Sequence, residues 1–167
     1  GVNYYLPNTR SSIFNAKLYL TPAPLLMASE DIVKAMEQEP SVKQIRHMAT
    51  LAQMSIVGIG GVDSNATLLT NGTLNHSDVL LLSMQGAVGD MLCHFIDKDG
   101  NVIQSSLERR LMSTSLEQLK EMNNSIGVAG GNTKAEAILA ALKGKYLDVL
   151  ITDETTASNV LRLKNQE

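Results

Sequence analysis

Gly127-Val128-Ala129-Gly130-Gly131-Asn132-Thr133-Lys134 joins a short apolar stretch, through paired glycines, to Ala135-Glu136-Ala137-Ile138-Leu139-Ala140-Ala141-Leu142. The second run consists almost wholly of strong helix formers. Glycine allows close backbone approach and positive φ. The first N–H groups of a helix have no partner inside it, and the helix dipole favours negative charge at that end. Lys134, read as standing about one turn into the helix, adds a mobile full charge. The stretch reads as strand, anion cradle and helix. The same residues also suit an ordinary tight βα turn with a solvated lysine.

Working outward, Ser125 to Ala129 and Leu147 to Thr152 read as strands, with helices over Thr133 to Lys143 and Thr155 to Leu163. Asp153 falls where an N-cap belongs, between strand and helix. Thr114 and Glu117 form a capping-box pattern ahead of Leu116, Leu119 and Met122, which share one face. Met54 to Gly61 is a nearly continuous apolar run closed by glycines, as expected of a strand buried on both faces of a parallel sheet. Before it, Ser29 opens a helix that Pro40 follows, and Ser41 with Gln44 suggests the cap of a second. Asn15 to Leu20 reads as a strand ended by Thr21-Pro22-Ala23-Pro24.

Asp63 to Thr73 is polar, with a turn at Asn71-Gly72, and Val79 to Met84 suggests a helix preceded by His76-Ser77. Met91 to Asp97 and Val102 to Ser105 suggest a hairpin around Lys98-Asp99-Gly100-Asn101. Alternating strands and helices specify an α/β fold, a largely parallel sheet flanked by helices. Ligands of such sheets bind beyond the carboxyl ends of the strands. Gly58 to Asp63, Gly130 to Lys134, Thr152 to Glu154 and the glycine-rich Gly86 to Asp90 are the candidate segments.

The chain's 167 residues suit one domain, and 44% hydrophobic with 19% charged residues excludes a disordered class. A net charge of −3 gives no basic stripe for gripping nucleic acid. Cys93 is the single cysteine, which excludes an internal disulfide and favours a reducing, cytoplasmic setting. No apolar run approaches a membrane span. Gly1-Val2-Asn3, without an initiator methionine, is expected to continue a longer polypeptide.

Enzyme signatures are weak. The glycine run has neither Walker spacing nor the dinucleotide fingerprint, and no Gly-x-Ser-x-Gly elbow occurs. His47 falls on a helix, His76 in a loop and His94 in a strand, with nothing joining them into a proton shuttle or, with one cysteine, a metal set. Cys93 reads as inert packing in an apolar strand. No catalytic residue, metal or cofactor is expected.

Gly86-Ala87-Val88-Gly89-Asp90, Gly127 to Gly131 with Lys134-Ala135-Glu136-Ala137-Ile138, and Val149-Leu150-Ile151-Thr152-Asp153-Glu154 with Thr156-Ala157 closely resemble the effector domain of SorC-type bacterial transcriptional regulators. Ala23-Pro24-Leu25 and Ile56-Val57-Gly58-Ile59-Gly60 also match, so the resemblance runs over nearly the whole chain. It implies a sugar-phosphate sensor with a fold similar to glucosamine-6-phosphate deaminases and ribose-5-phosphate isomerases, used for binding rather than turnover. It implies effector-binding roles for Gly86, Ala87, Val88 and Asp90, and for Gly130, Gly131 and Lys134. Lys134 is expected on the phosphate and Asp90 on the sugar hydroxyls, although beside Gly89 the latter also suits a helix or strand cap.

By the same resemblance, residues 1–167 form an effector domain lacking its amino-terminal third and an upstream DNA-binding domain. Operator DNA would be reached only through that absent part, in a homodimer or homotetramer. The alternative is a sugar-phosphate isomerase or deaminase-like enzyme.

Overall fold

The computed structural model describes residues 13–63, 67–70 and 72–166. In chain order these form α1 (Glu30–Glu37), α2 (Pro40–Thr50), β1 (Ser55–Gly58), β2 (Gly60–Gly61), α3 (Thr67–Thr70) and α4 (His76–Met84). Then come β3 (Ala87–Met91), β4 (His94–Asp97), α5 (Leu116–Glu121), β5 (Ser125–Val128), α6 (Ala135–Lys143), β6 (Val149–Ile151) and α7 (Glu154–Lys164). Single 3-10 turns occupy Glu108–Arg110 and Asn132–Lys134.

The strands divide into two sheets of three, parallel β1-β5-β6 and antiparallel β2-β3-β4. The α/β class and the parallel sheet match the sequence reading. The antiparallel sheet does not, and its origin is local. After Gly58 the chain makes a one-residue step at Ile59 and leaves the parallel sheet, so the expected single strand Met54 to Gly61 is shared between two sheets.

Helix α6 is the centre of the packing. Ala135, Ala137, Ile138, Leu139, Ala140 and Ala141 are all buried, as expected of a helix that is apolar all round. It lies against β3, β4 and α7. At Gly89 a Cβ would collide with that of Ala137, so glycine is what lets helix and strand approach. Arg110 ties the segment before α1 to the 3-10 turn at 108–110, where Met27 packs in a separate cluster with Val33, Val42 and Met112. Its Nε donates to the Met27 carbonyl at 2.7 Å, and Met112 N–H donates to Leu25 O at 2.7 Å.

Several boundaries differ from the sequence reading for identifiable reasons. Pro40 begins α2 at its first turn, where its missing N–H costs nothing, and Glu39 rather than Ser41 takes the cap position. The α5 box is Ser115 with Gln118, at 3.1 and 3.2 Å, displacing Thr114 and Glu117 by one residue. Asn75 and Asp78 cap α4, which puts His76 in its first turn rather than in a loop. Ala16 to Leu20 has no ladder partner and is not a strand. Of the Asn71-Gly72 turn, Asn71 lies outside the described residues, while Gly72 has φ 75°.

The hairpin also comes earlier than expected. β3 and β4 pair through a tight turn at Leu92-Cys93, whose φ values are 51° and 68°, so Cys93 lies in a turn and Gly86 to Asp90 leads into a strand. Val102 keeps only an isolated bridge to Ile96. Lys98 to Asn101 does turn, held by Asp97 Oδ1 accepting N–H bonds from Asp99 and Asn101 at 2.9 Å.

Among the described residues the parallel sheet is covered on one face only. Val57 and Gly127 are buried and Leu150 half-buried on that side. On the other, Ile56 is 68%, Val128 45%, Val149 47% and Ile151 53% exposed. The expectation that β1 is buried on both faces is not met.

Candidate functional site

The glycine loop after β5 is fixed to the start of α7 rather than hanging free. Gly131 takes φ 117° and ψ 145°, a conformation that L side chains rarely adopt. Its N–H donates to Thr156 Oγ1 at 3.0 Å, and that hydroxyl donates to Asp153 Oδ2 at 2.7 Å. Asp153 Oδ1 accepts the Thr156 N–H at 2.8 Å, which makes it the N-cap of α7. These bonds, first those from Thr156, hold the Asp153 carboxyl below its ordinary range.

The 3-10 turn follows, closed by Lys134 N–H on Gly131 O at 3.1 Å. Lys134 therefore stands at the cap position of α6, not a turn inside it. Helix geometry leaves the first N–H groups at this end without intrahelical partners.

β2 lies against this turn. A Cβ at Gly61 would sit 3.5 Å from Thr133 O. Gly60 opposes Asp90 in the β2–β3 ladder, and a Cβ there would run into Asp90 Oδ1. The carboxyl of Asp90 thus lies over a residue with no side chain. Burial raises its pKa above the ordinary 3.8, opposed by the Cys93 N–H and by the charges of Lys134 and His94. Asp90 lies toward the turn end of β3, where its carboxyl also accepts the Cys93 N–H of the hairpin turn.

Asp90 and Lys134 come within electrostatic reach of one another, on segments 44 residues apart in sequence. Gly130 and Gly131 share their loop with Lys134. Gly86, Ala87 and Val88 lie toward the other end of β3, with Ala87 about 10 Å along the strand from Asp90. Ala87 is buried with Phe95 and Leu82, and Val88 packs on the main core. Two contributors escaped the sequence reading. Gly60 seats Asp90, and Thr156 locks Gly131. A glycine ending an apolar run and a threonine three residues after an N-cap are the signals available for them.

His94 and Cys93, near Asp90, are already engaged in the fold. His94 bonds through Nδ1 to Glu108 Oε1 and through Nε2 to the Thr114 carbonyl, both at 2.8 Å. That buried bridge ties β4 to the segment before α5. Burial pushes the Cys93 thiol up to about 11, consistent with an unreactive side chain. The Thr152 hydroxyl, at the carboxyl end of β6, is buried with no hydrogen-bond partner in the protein. Among the described residues no group of His, Cys, Asp and Glu could hold a metal ion, and no helix is long and apolar enough to cross a membrane.

Residues 10–162 match the Sugar-bind family, described as "Putative sugar-binding domain". The chain belongs to this family of SorC-type regulator domains. Among its curated relatives are the transcriptional regulator LsrR of Klebsiella pneumoniae, 36% identical over 166 residues, and LsrR of Escherichia coli K12, 37% over 165. These alignments take in 98% and 97% of this chain. The chain spans about half the length of these relatives, 51% and 52%.

Solved structures agree. A transcriptional regulator from Streptococcus pneumoniae TIGR4 superposes with a TM-score of 0.86 at 26% identity, over 96% of this chain and 61% of that one. The full-length sorbitol operon regulator SorC from Klebsiella pneumoniae gives 0.79 at 25%, over 90% and 49%.

Proposed function

We propose that this Sugar-bind chain is the effector-binding part of a bacterial transcriptional regulator and takes a phosphorylated sugar or a related metabolite. What supports this most directly is Asp90 seated over Gly60, with Lys134 near enough to act on its charge, beside a glycine loop that opens a helix. In this reading the Lys134 ammonium holds the phosphate with N–H groups of the turn other than those of Gly131 and Lys134, which are already donated within the protein. Charge-assisted bonds of this kind contribute about 1.5–3 kcal/mol each, enough to prefer phosphorylated over plain sugars. Asp90 accepts hydrogen bonds from neighbouring hydroxyls. Burial prepares it for this, since a carboxylate short of solvent gains more from a hydroxyl donor than an exposed one.

The name of the sorbitol operon regulator and the description of the family point to a sugar; the phosphate is inferred from Lys134 and its loop. The same reading carries the deaminase-like and isomerase-like fold relationship, a cytoplasmic location and a homodimer or homotetramer. It also places operator binding in a separate amino-terminal domain, and treats residues 1–167 as an effector domain short of its amino-terminal third. Ligand would shift the population of quaternary arrangements and so alter DNA affinity.

Thermal unfolding tests the site. At about 100 times its Kd a phosphosugar should add roughly 2.7 kcal/mol, while its unphosphorylated counterpart at equal concentration should not. Lys134→Ala should weaken phosphosugar binding by about 10- to 100-fold and remove the preference for phosphate. Unchanged affinity in that variant would refute the role of Lys134.

One observation favours a second reading as an isomerase or deaminase. Burial raises the Asp90 pKa, the direction a general base needs. Against it, the buried His94 is occupied on both ring nitrogens and offers no second proton carrier. Steady turnover of a bound sugar phosphate, lost in Asp90→Asn, would decide for the enzyme.

A further inference from the structure

We propose that Ser113 is a positioning residue for effector binding: it holds the central peptide of the β3–β4 turn so that the N–H of that peptide is aimed at the Asp90 carboxyl. This rests on the reading of Asp90 as the group that takes the sugar hydroxyls, and it names what sets the aim of that group.

The turn is Leu92-Cys93, between the paired residues Met91 and His94. Its φ values of 51° and 68° put both residues in the left-handed region, as the tightest hairpin turns require. Asn-Gly takes this shape readily, because its second residue has no Cβ. Leu92 and Cys93 both carry one. Side chains kept in the left-handed region persist where the surroundings over-determine them, and such positions gather at ligand sites. Rotating the central peptide by half a turn gives the related hairpin turn, in which only the first residue keeps a positive φ. The sequence therefore offers Cys93 a way out of its conformation, and something must block it.

Ser113 does so. Its Oγ donates to the Leu92 carbonyl at 2.8 Å. That carbonyl and the Cys93 N–H belong to one planar trans peptide and point opposite ways, so holding the first aims the second. The Cys93 N–H donates to the Asp90 carboxyl. On the exit side His94 is tied to Glu108 and to the Thr114 carbonyl, the neighbour of Ser113. Leu92 packs on the main core and Cys93 on the cluster around Phe95, which fixes the two side chains on separate supports.

The test uses full-length protein labelled with 13C-aspartate and 15N-cysteine, with the two signals assigned through Asp90→Asn and Cys93→Gly. In the unsubstituted protein the Cys93 amide should shift as the Asp90 carboxyl titrates. Ser113→Ala removes neither Lys134 nor His94, the charges that act on Asp90. It should nonetheless move the Asp90 titration to higher pH, through loss of the Cys93 N–H bond, and uncouple the Cys93 amide from it. Adding Cys93→Gly should return the Asp90 titration to its original position, because a glycine keeps the turn without the clamp. A serine with only a structural role would lower the unfolding midpoint and leave both signals where they are.

An unchanged Asp90 titration in Ser113→Ala, or no rescue by glycine, overturns the proposal. If the variant misfolds, the unsubstituted protein decides, since a Cys93 amide indifferent to the Asp90 titration refutes the bond. No sugar enters these measurements, so failure of the sugar-phosphate reading would show separately, in the thermal shifts. A phosphosugar that passes there should bind Ser113→Ala about 10-fold more weakly and regain its affinity with Cys93→Gly added, whereas inorganic phosphate should bind all three proteins alike.

Discussion

β1 and β5 are neighbouring parallel strands that end in similar sequence, Gly58-Ile59-Gly60-Gly61 and Ala129-Gly130-Gly131, yet their glycines meet different physical demands. After β1 the demand is space. Gly60 must lack a Cβ because the Asp90 carboxyl lies over it, and the chain continues straight into an antiparallel pair. After β5 the demand at Gly131 is conformation. Its φ of 117° turns the chain into the helix carrying Lys134, in a place where a Cβ would meet nothing. The first doublet makes room for the Asp90 carboxyl; in the second, Gly130 makes room for Asp153 while Gly131 sets the turn toward Lys134. A doublet of glycines in a sequence therefore does not say which of these it does.

Substitutions can break or sharpen that contrast. Gly60→Ala should have the largest effect, toward the upper end of the roughly 1–3 kcal/mol typical of overpacking. Adding Asp90→Ala should restore most of it, since the obstruction is that carboxyl. Urea unfolding of the single and double variants measures the rescue, and without it Gly60 is not a steric seat.

Gly131→Ala should cost about 1–2 kcal/mol through backbone strain, with no rescue by any neighbouring truncation. Rescue by Asp90→Ala would erase the distinction between the two loops. Thr156→Val should cost about 1 kcal/mol, because it leaves the Gly131 N–H and an Asp153 oxygen without their partner. Amide exchange at Gly131 should quicken in that variant.

Asp90→Asn should be the mildest and depends on pH. The folded-state pKa of Asp90 is raised by burial, so its unionised form suits the fold and stability falls as pH rises from 3.8 through the folded value. Relative to wild type, the asparagine variant should gain stability over that window and keep the gain at neutral pH. Below 3.8 the two should converge. A variant less stable than wild type at pH 7 would mean that Lys134 outweighs burial.

The positions of β5, α6, β6 and α7 were legible because each carries its own local signal. The Ala135 to Leu142 run propagates a helix wherever it is placed, and Asp153 caps one with its own side chain. The Ser115 and Gln118 box was legible only to within a residue, since Thr114 offers the same chemistry one position earlier. The hairpin was harder to read. Gly86-Ala87-Val88-Gly89-Asp90 has loop composition, and it becomes a strand because Gly89 admits Ala137 of α6. Asn15 to Leu20 has strand composition and, among the described residues, no strand to pair with.

Of the candidate site, the sequence identified Lys134 with its glycines from local composition, and Asp90 from the pattern of a family. By itself the sequence determined the alternation of strands and helices and the glycine turn ahead of α6, because these follow from near neighbours along the chain. Only the tertiary structure decided that β1 leaves its sheet at Ile59, that Asp90 rests on Gly60 within electrostatic reach of Lys134, and that the described residues cover one face of the parallel sheet and not the other. Each of those depends on which residues far apart in sequence come to share the same small space, and no local propensity encodes that.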